Sequence, residues 1–402
     1  VVSQRRGPGG RLTVLHLSQP VEGGVARVVT DLARAQMRQG LRVVVACPRD
    51  GSLPRSIAAL GAEVRHWDAR RGPGRSVPAE TWTAHRLIKQ VGPDVVHAHS
   101  AKAGLAGRLA LRGRLPTVYQ PHAWSFAAVE GPTARLALAW ERHAARWADR
   151  VLCVSDEEQR TGERCGIPAA WAVVRNGVDP DSFPTFPIAS PAEESSASQR
   201  AACRRSLPAL SGVPLEAPLV VCVGRLCRQK GQRDLLRAWR RIAEQVPDAW
   251  LALVGDGPDR PALTQPLHDR VRFAGAVEDA SPWYAAADLA VQPSLWEGMA
   301  LTPLEAMACG RPVVLTDVGG GRECLPPGQE VECLVPPGDP EALATAVTGL
   351  LRAPRLRAYL GEAAQKHVRA ECDVQRTTSA VRRLYGELLG AGAHTTEKWT
   401  AR

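Results

Sequence analysis

The sequence predicts an α/β protein of two doubly wound, Rossmann-like domains facing each other across a cleft. Three observations predict it. Continuous apolar runs of about four to six residues recur along the chain, as in parallel strands buried on both faces. They alternate with helix-like stretches of about ten residues or more, the pattern of βαβ units. A segment rich in Pro, Ser and Ala breaks the alternation midway, and the alternation then restarts. A length of 402 residues suits two domains, and 45% apolar residues supply each with a core.

The elements follow in order. "RLTVLHLS" leads to "GGVARVVTDLARAQMRQG", "LRVVVACP" to a helix near Ile57, and "DVVHAHS" to "AKAGLAGRLALRG". "PTVYQPHA" precedes a loop and a helix near Leu136–Trp147, and "RVLCVSD" and "WAVVRNGV" close the half. Residues 1–182 are thus the expected N-terminal domain and 183–217 a linker with one short helix. Residues 218–372 are the expected C-terminal domain. Its strand candidates are "LVVCVGRL", "AWLALVGDG", "VRFAGAV", "DLAVQPS", "RPVVLTD" and "ECLVPPG", with helices near 231–246, 280–287, 303–309 and 340–352. Residues 373–402 read as a helix returning to the N-terminal domain, then a frayed tail. In such sheets ligands bind beyond the carboxyl ends of the strands.

Composition narrows the class. No run of 18 uncharged apolar residues occurs, so no spanning helix is expected, and Leu12–Leu17 reads as a first strand rather than a signal peptide. The ten cysteines lack CxxC spacing, which favours a reducing cytoplasm over a disulfide framework. A net charge of +10, nearly all Arg, suits attraction to anions without choosing among them.

The stretch "SLWEGMALTPLEAMACGRPVV" concentrates the chemistry. Glu297 and Glu305 bound an apolar loop. In "TPLE", Thr302 as N-cap, Pro303 in the first turn and Glu305 at the third helical position would form a capping box. The same geometry offers main-chain amides at a helix N-terminus to a phosphate, with a carboxylate one turn in for a diol.

"EGMALTPLE" resembles the E-x7-E motif of the retaining glycosyltransferases of family 4, which have GT-B architecture. Further segments match in order: "GGVARV", "VHAHSAKAG", "PHAW", "VRNGVD", "VGRLCRQKG", "VGDGP" and "VRFAG". The resemblance spans roughly residues 12–350 and extends to bacterial capsule and exopolysaccharide enzymes. It implies a hexosyltransferase using a UDP- or GDP-linked sugar, retaining the anomeric configuration, in polysaccharide or glycolipid synthesis. Arg225 and Lys230 would hold the diphosphate, Glu305 the ribose and Glu297 the sugar hydroxyls. Gly298, Met299, Ala300 and Leu301 would complete the pocket with their amides. Gly23 and Gly24 would let the N-domain loop approach the diphosphate. His122 would stand beside the donor sugar, as a catalytic residue with Glu297. No metal or other cofactor is implied, and "DPD" at 179–181 reads as a turn. His97 and His99, on one strand face, form a metal pair only with a third ligand, which the sequence does not reveal.

The acceptor implied is a sugar or a lipid-linked sugar, with Lys102 and Arg108 meeting its phosphate. Residues 133–150 combine Leu136, Trp140 and Trp147 with Arg135, Arg142, Arg146 and Arg150. That pattern fits peripheral binding to the anionic inner face of the plasma membrane, and equally a helix packed on the sheet. A dinucleotide-dependent oxidoreductase is disfavoured because "EGGVAR" lacks the glycine fingerprint. Nucleic acid is not expected as a partner, since aromatics are only 5% and Arg is spread along the whole chain. A same-fold nucleotide-sugar-binding protein or epimerase without transferase activity is the alternative.

Overall fold

Strands form where β-branched and other apolar residues run together, and all of them pair in parallel. The computed structural model describes residues 11–72, 74–184, 193–265 and 269–391. The chain divides into two units, one of Val1–Asn176 with Val374–Arg402, the other of Gly177–Asp373.

The first unit has strands β1 (Thr13–Ser18), β2 (Arg42–Cys47), β3 (Glu63–His66), β4 (Val95–His99), β5 (Thr117–Gln120), β6 (Arg150–Cys153) and β7 (Trp171–Val173). Its helices are α1 (Gly23–Arg38), α2 (Ser52–Ala59), α3 (Val77–Val91), α4 (Ser100–Leu111), α5 (Gly131–Ala144), α6 (Asp156–Arg164) and, after the second unit, α16 (Val374–Ala391). The sheet order is β3-β2-β1-β4-β5-β6-β7. Alternate residues serve opposite faces. Leu15, Leu17, Val44, Ala46, Val96 and Ala98 pack with α3 and α4. Val43, Val45 and Cys47 pack with Ala26, Val29 and Ala33 of α1 and Leu53 and Ile57 of α2.

The second unit repeats the winding. Its strands are β8 (Leu219–Val223), β9 (Trp250–Val254), β10 (Val271–Gly275), β11 (Leu289–Gln292), β12 (Val313–Thr316) and β13 (Leu334–Val335). They lie in the order β10-β9-β8-β11-β12-β13. The helices are α7 (Glu193–Ser206), α8 (Gln232–Gln245), α9 (Arg260–Leu263), α10 (Ser281–Ala286), α11 (Leu301–Ala308), α12 (Gly321–Cys324), α13 (Glu330–Cys333), α14 (Pro340–Arg352) and α15 (Pro354–Glu371). In each sheet the winding reverses beside the first strand, between β1 and β4 and between β8 and β11. Loops diverge there and leave room for a ligand.

Several expectations are corrected. β3, "EVRH", carries little apolar signal and was not expected from the sequence. The chain passes between the units at Asn176 rather than 182, and the described part of the expected linker belongs to the second unit. There Arg204 of α7 is buried, its Nε donating to Ala286 O at 3.0 Å and Nη2 to Asp288 Oδ2 at 2.8 Å. The capping box does not form. α11 starts at Leu301, one residue before the expected cap, and Thr302 Oγ1 donates instead to Gln292 Oε1 at 2.8 Å. The "DPD" string makes a single 3-10 turn, with Asp179 Oδ1 accepting from Asp181 N at 3.1 Å. The frayed tail falls outside the described residues.

Lys102 and Arg108, expected to meet an acceptor phosphate, are buried in the first unit. Lys102 Nζ donates to Glu80 Oε2 at 2.8 Å. Arg108 is fully enclosed: Nη2 donates to Glu141 Oε2 and Nε to Gly104 O, both at 2.8 Å, and the guanidinium lies 3.8 Å from the Tyr119 ring centroid. Both cations are already spent on buried carboxylates, so the acceptor role does not fit this placement. Removing one partner of such a pair strands the other charge. Arg108→Ala should therefore cost about 3–5 kcal/mol, read from the urea midpoint; an unchanged midpoint would contradict the buried pair.

Candidate active site

Two loops meet at the winding reversal of the second unit. The first runs from β8 to α8 and carries Arg225 and Lys230; the second runs from β11 to α11 and carries Glu297. Lys230 Nζ donates to Glu297 Oε1 at 2.5 Å, and Ser294 Oγ donates to the same oxygen at 2.8 Å. Gln292 Nε2 reaches Ser294 Oγ at 2.7 Å, so Thr302, Gln292, Ser294, Glu297 and Lys230 form one hydrogen-bonded chain. The Lys230 stem lies against Gly224, 3.7 Å from where a Cβ would stand. Side-chain exposure is only 18% for Lys230 and 12% for Glu297, so water screens the pair weakly.

Glycine permits this approach of loops. Gly231 has φ +66°, and an added Cβ would stand 1.8 Å from Pro293 O. Gly319, at φ +49°, passes 2.1 Å from Glu297 O by the same measure. Leu295 N donates to Gln229 O at 2.8 Å and joins the loops through the main chain.

The remaining predicted donor residues surround this pair unequally. Arg225 is exposed and has no side-chain partner among the described residues. Gly298 and Met299 are buried, Ala300 precedes α11, and Leu301 opens it; no side chain caps this helix start. Glu305 lies deeper, inside α11, where its carboxylate accepts from the Tyr284 hydroxyl at 3.1 Å. The structure thus joins Lys230 directly to Glu297. It gives neither Arg225 nor Glu305 a contact with that pair. Sequence reasoning missed Gln292, Ser294 and Tyr284; the polar "QPS" closing an apolar strand was the available signal.

In the first unit, Gly23 and Gly24 are exposed at the turn from β1 to α1, Gly23 with φ +74°. His122 follows β5 in an unusual loop: its φ is +56° and that of Ala123 is +110°, both rare for residues with a Cβ. Glu158 of α6 holds this loop. Its Oε1 accepts from Ala123 N at 2.6 Å, its Oε2 accepts from Val154 N at 2.8 Å, and its main-chain O accepts from Trp124 Nε1 at 2.7 Å. Glu158 was also missed, although "SDEE" at 155–158 is a capping-box string, and Ser155 Oγ does accept from Glu158 N.

His122 Nε2 lies 3.1 Å from His99 Nδ1, and His99 Nε2 lies 2.9 Å from His16 Nδ1. The rings stack, with His97 centred 4.0 Å from His99. Burial holds His16 down to about 4 and His122 to about 3, and it keeps His97 and His99 well below the usual imidazole range. His16 is the third nitrogen ligand that the sequence did not reveal: ring nitrogens of His16, His97 and His99 lie within 4.8 Å of one another. His16 and His99 already spend those nitrogens on each other and on Gln36 and His122. No carboxylate hydrogen-bonds to these rings among the described residues, so a buried dication would lack a counter-charge.

Comparison with known proteins gives the family. Residues 22–182 match the family model described as Glycosyltransferase Family 4, and residues 217–353 match Glycosyl transferases group 1. D-inositol 3-phosphate glycosyltransferase 2 of Catenulispora acidiphila is 30% identical over 387 residues, covering 86% of each chain. The Escherichia coli UDP-Gal:alpha-D-GlcNAc-diphosphoundecaprenol alpha-1,3-galactosyltransferase is 29% identical, over 60% of this chain and 62% of that one. The crystal structure of Anabaena HepE in complex with UDP and glucose superposes with a TM-score of 0.76 at 24% identity, covering 94% of this chain and all of that one.

The two crossing loops make a sensitive test of the site's packing. Gly231→Ala should lower the melting temperature, because the left-handed backbone alone costs about 1–3 kcal/mol and the Pro293 carbonyl must also move. An unaltered melting temperature would contradict the close approach.

Proposed function

Because this chain belongs to the family-4 glycosyltransferases, GT-B enzymes that move a sugar from a nucleotide-sugar donor to an acceptor, we propose that it transfers a hexose from a uridine or guanosine diphosphate sugar with retention of configuration. The UDP in the HepE complex and the UDP-Gal named for the E. coli relative favour uridine. One observation carries the reading: the Lys230–Glu297 pair, little exposed, sits where the loops at the carboxyl ends of β8 and β11 meet.

That pair is a contact waiting to exchange partners. An arriving diphosphate competes with Glu297 for the Lys230 ammonium, joined by the unpaired Arg225. The released Glu297 carboxylate then accepts hydrogen bonds from sugar hydroxyls. Amides from Gly298 to Leu301 face the phosphate at the start of α11, and Glu305 takes the ribose after giving up Tyr284. As the bond from the anomeric carbon to phosphate breaks, negative charge grows on the leaving diphosphate, and the two cations stabilise it most in that state. The acceptor oxygen bonds the same face of the carbon, and its proton passes to the departing phosphate oxygen. Gly23, Gly24 and His122 of the first unit are proposed as further donor-contacting residues.

A panel of nucleotides and nucleotide-sugars tests this in a thermal-shift assay. At a hundredfold excess over Kd the true donor nucleotide adds about 2.7 kcal/mol, which raises the melting temperature measurably. Lys230→Ala should abolish the rise. No rise with UDP, GDP, ADP, UDP-glucose or GDP-mannose at millimolar concentration would overturn the assignment.

For the acceptor, the diphosphoundecaprenol named for the E. coli relative supports a lipid-linked sugar, and α5 supports contact with an anionic membrane surface. Leu136 is 73% exposed on α5, flanked by the exposed Arg135. Trp140 turns inward, toward the Arg108 guanidinium. No helix among the described residues is long and apolar enough to cross a membrane. Liposomes containing anionic lipid should co-sediment the protein more than neutral ones, and Leu136→Glu should weaken that binding. Equal, negligible binding to both would remove the membrane from the proposal.

A further inference from the structure

A neutral imidazole has one N–H and one lone pair, so a single fixed end sets every proton along a chain of them. His16, His99 and His122 of the first unit provide such a chain. At its inner end His16 Nε2 lies 2.8 Å from Gln36 Oε1 of α1 and donates to it. His97 stands outside this chain of bonds: its Nδ1 lies 2.6 Å from the Tyr385 hydroxyl of α16. With Nε2 donating, His16 Nδ1 accepts from His99 Nε2 at 2.9 Å. His99 Nδ1 in turn accepts from His122 Nε2 at 3.1 Å. One atom is left over: His122 Nδ1, with no partner among the described residues.

We propose that this ladder fixes His122 as the Nε2–H tautomer, leaving Nδ1 as an acceptor that can take a hydrogen bond from a sugar hydroxyl and cannot donate to phosphate. Gln36, His16 and His99 are then positioning residues. The inference rests on the reading above that His122 stands beside the donor sugar. Three observations support it. The ladder lies in the core, with His16 and His99 fully buried, so water does not compete for its protons. Burial also keeps the imidazoles neutral, which excludes a second N–H on His122 near neutral pH. Finally, the loop after β5 holds His122 and Ala123 in left-handed backbone, clamped by Glu158, and so presents the ring to His99 at a conformational cost.

Long-range 1H–15N correlation of histidine-labelled protein reads the tautomer directly, with the His122 signals assigned by their loss in His122→Ala. The expected spectrum has proton-bearing Nε2 and bare Nδ1 on His122. A proton on Nδ1 would reverse the ladder and overturn the proposal, as would a metal-shifted nitrogen on His16, His97 or His99. Turnover supplies the second readout: release of nucleoside diphosphate from UDP-glucose or GDP-mannose, whichever raises the melting temperature. His99→Phe should mix the His122 tautomers and lower kcat roughly tenfold with KM unchanged. His99→Asn keeps an acceptor oxygen near the Nδ1 position and should restore most of that loss. Equal kcat in the two variants would overturn the ladder's role. Full turnover by His122→Ala would instead remove His122 from the donor site, a failure of the parent reading that the spectrum distinguishes.

Discussion

A parallel sheet covered on both faces must reverse its winding somewhere, and each unit of this protein does so beside its first strand. The reversal sends neighbouring loops apart and leaves main-chain donors and side chains without a strand to cover them. Everything proposed for the donor follows from that topological constraint. The β8 and β11 loops bring together an ammonium and a carboxylate that lie far apart in sequence. They can touch because Gly231 lacks the side chain that would keep the loops separated.

The polar interior of the first unit follows the same economy. His16, His97 and His99 replace apolar residues on one buried face of β1 and β4, against α1 and α16. A buried imidazole is tolerable only when its nitrogens find partners. His16 and His99 find them in each other, in Gln36 and in His122, and His97 finds one in Tyr385. Gln36 Nε2, His97 Nε2 and Gln120 Oε1 have no hydrogen-bond partner among the described residues. The Lys102–Glu80 and Arg108–Glu141 pairs obey the same rule with full charges, which is why those cations turn inward.

Local signals in the sequence carried most of the strands. "TVLHLS", "RVVVAC" and "LVVCV" are apolar on both faces because both faces are covered. β3 escaped because an edge strand needs only half that burial, and "EVRH" leaves its Arg and His exposed while Glu63 pairs with Arg42. The helix at Leu301–Ala308 was legible while its cap was not, since Thr302 answers to Gln292, ten residues earlier in the chain. Lys102 and Arg108 read as surface cations because Glu80 and Glu141 lie 22 and 33 residues away, beyond any local pattern. Lys230 and Glu297 were singled out by motif. Their direct bond, and the meeting of His97 with Tyr385 across 288 positions, belong to tertiary structure alone.

The histidine ladder also binds the first unit's stability to acidity. Unfolding returns each ring to water, where it titrates near 6.5. Folded, His16 titrates at about 4 and His122 at about 3. Below pH ~6.5 the unfolded chain therefore takes up protons that the native interior refuses. The contribution of these rings is whole above that value and is lost progressively as pH falls through 4.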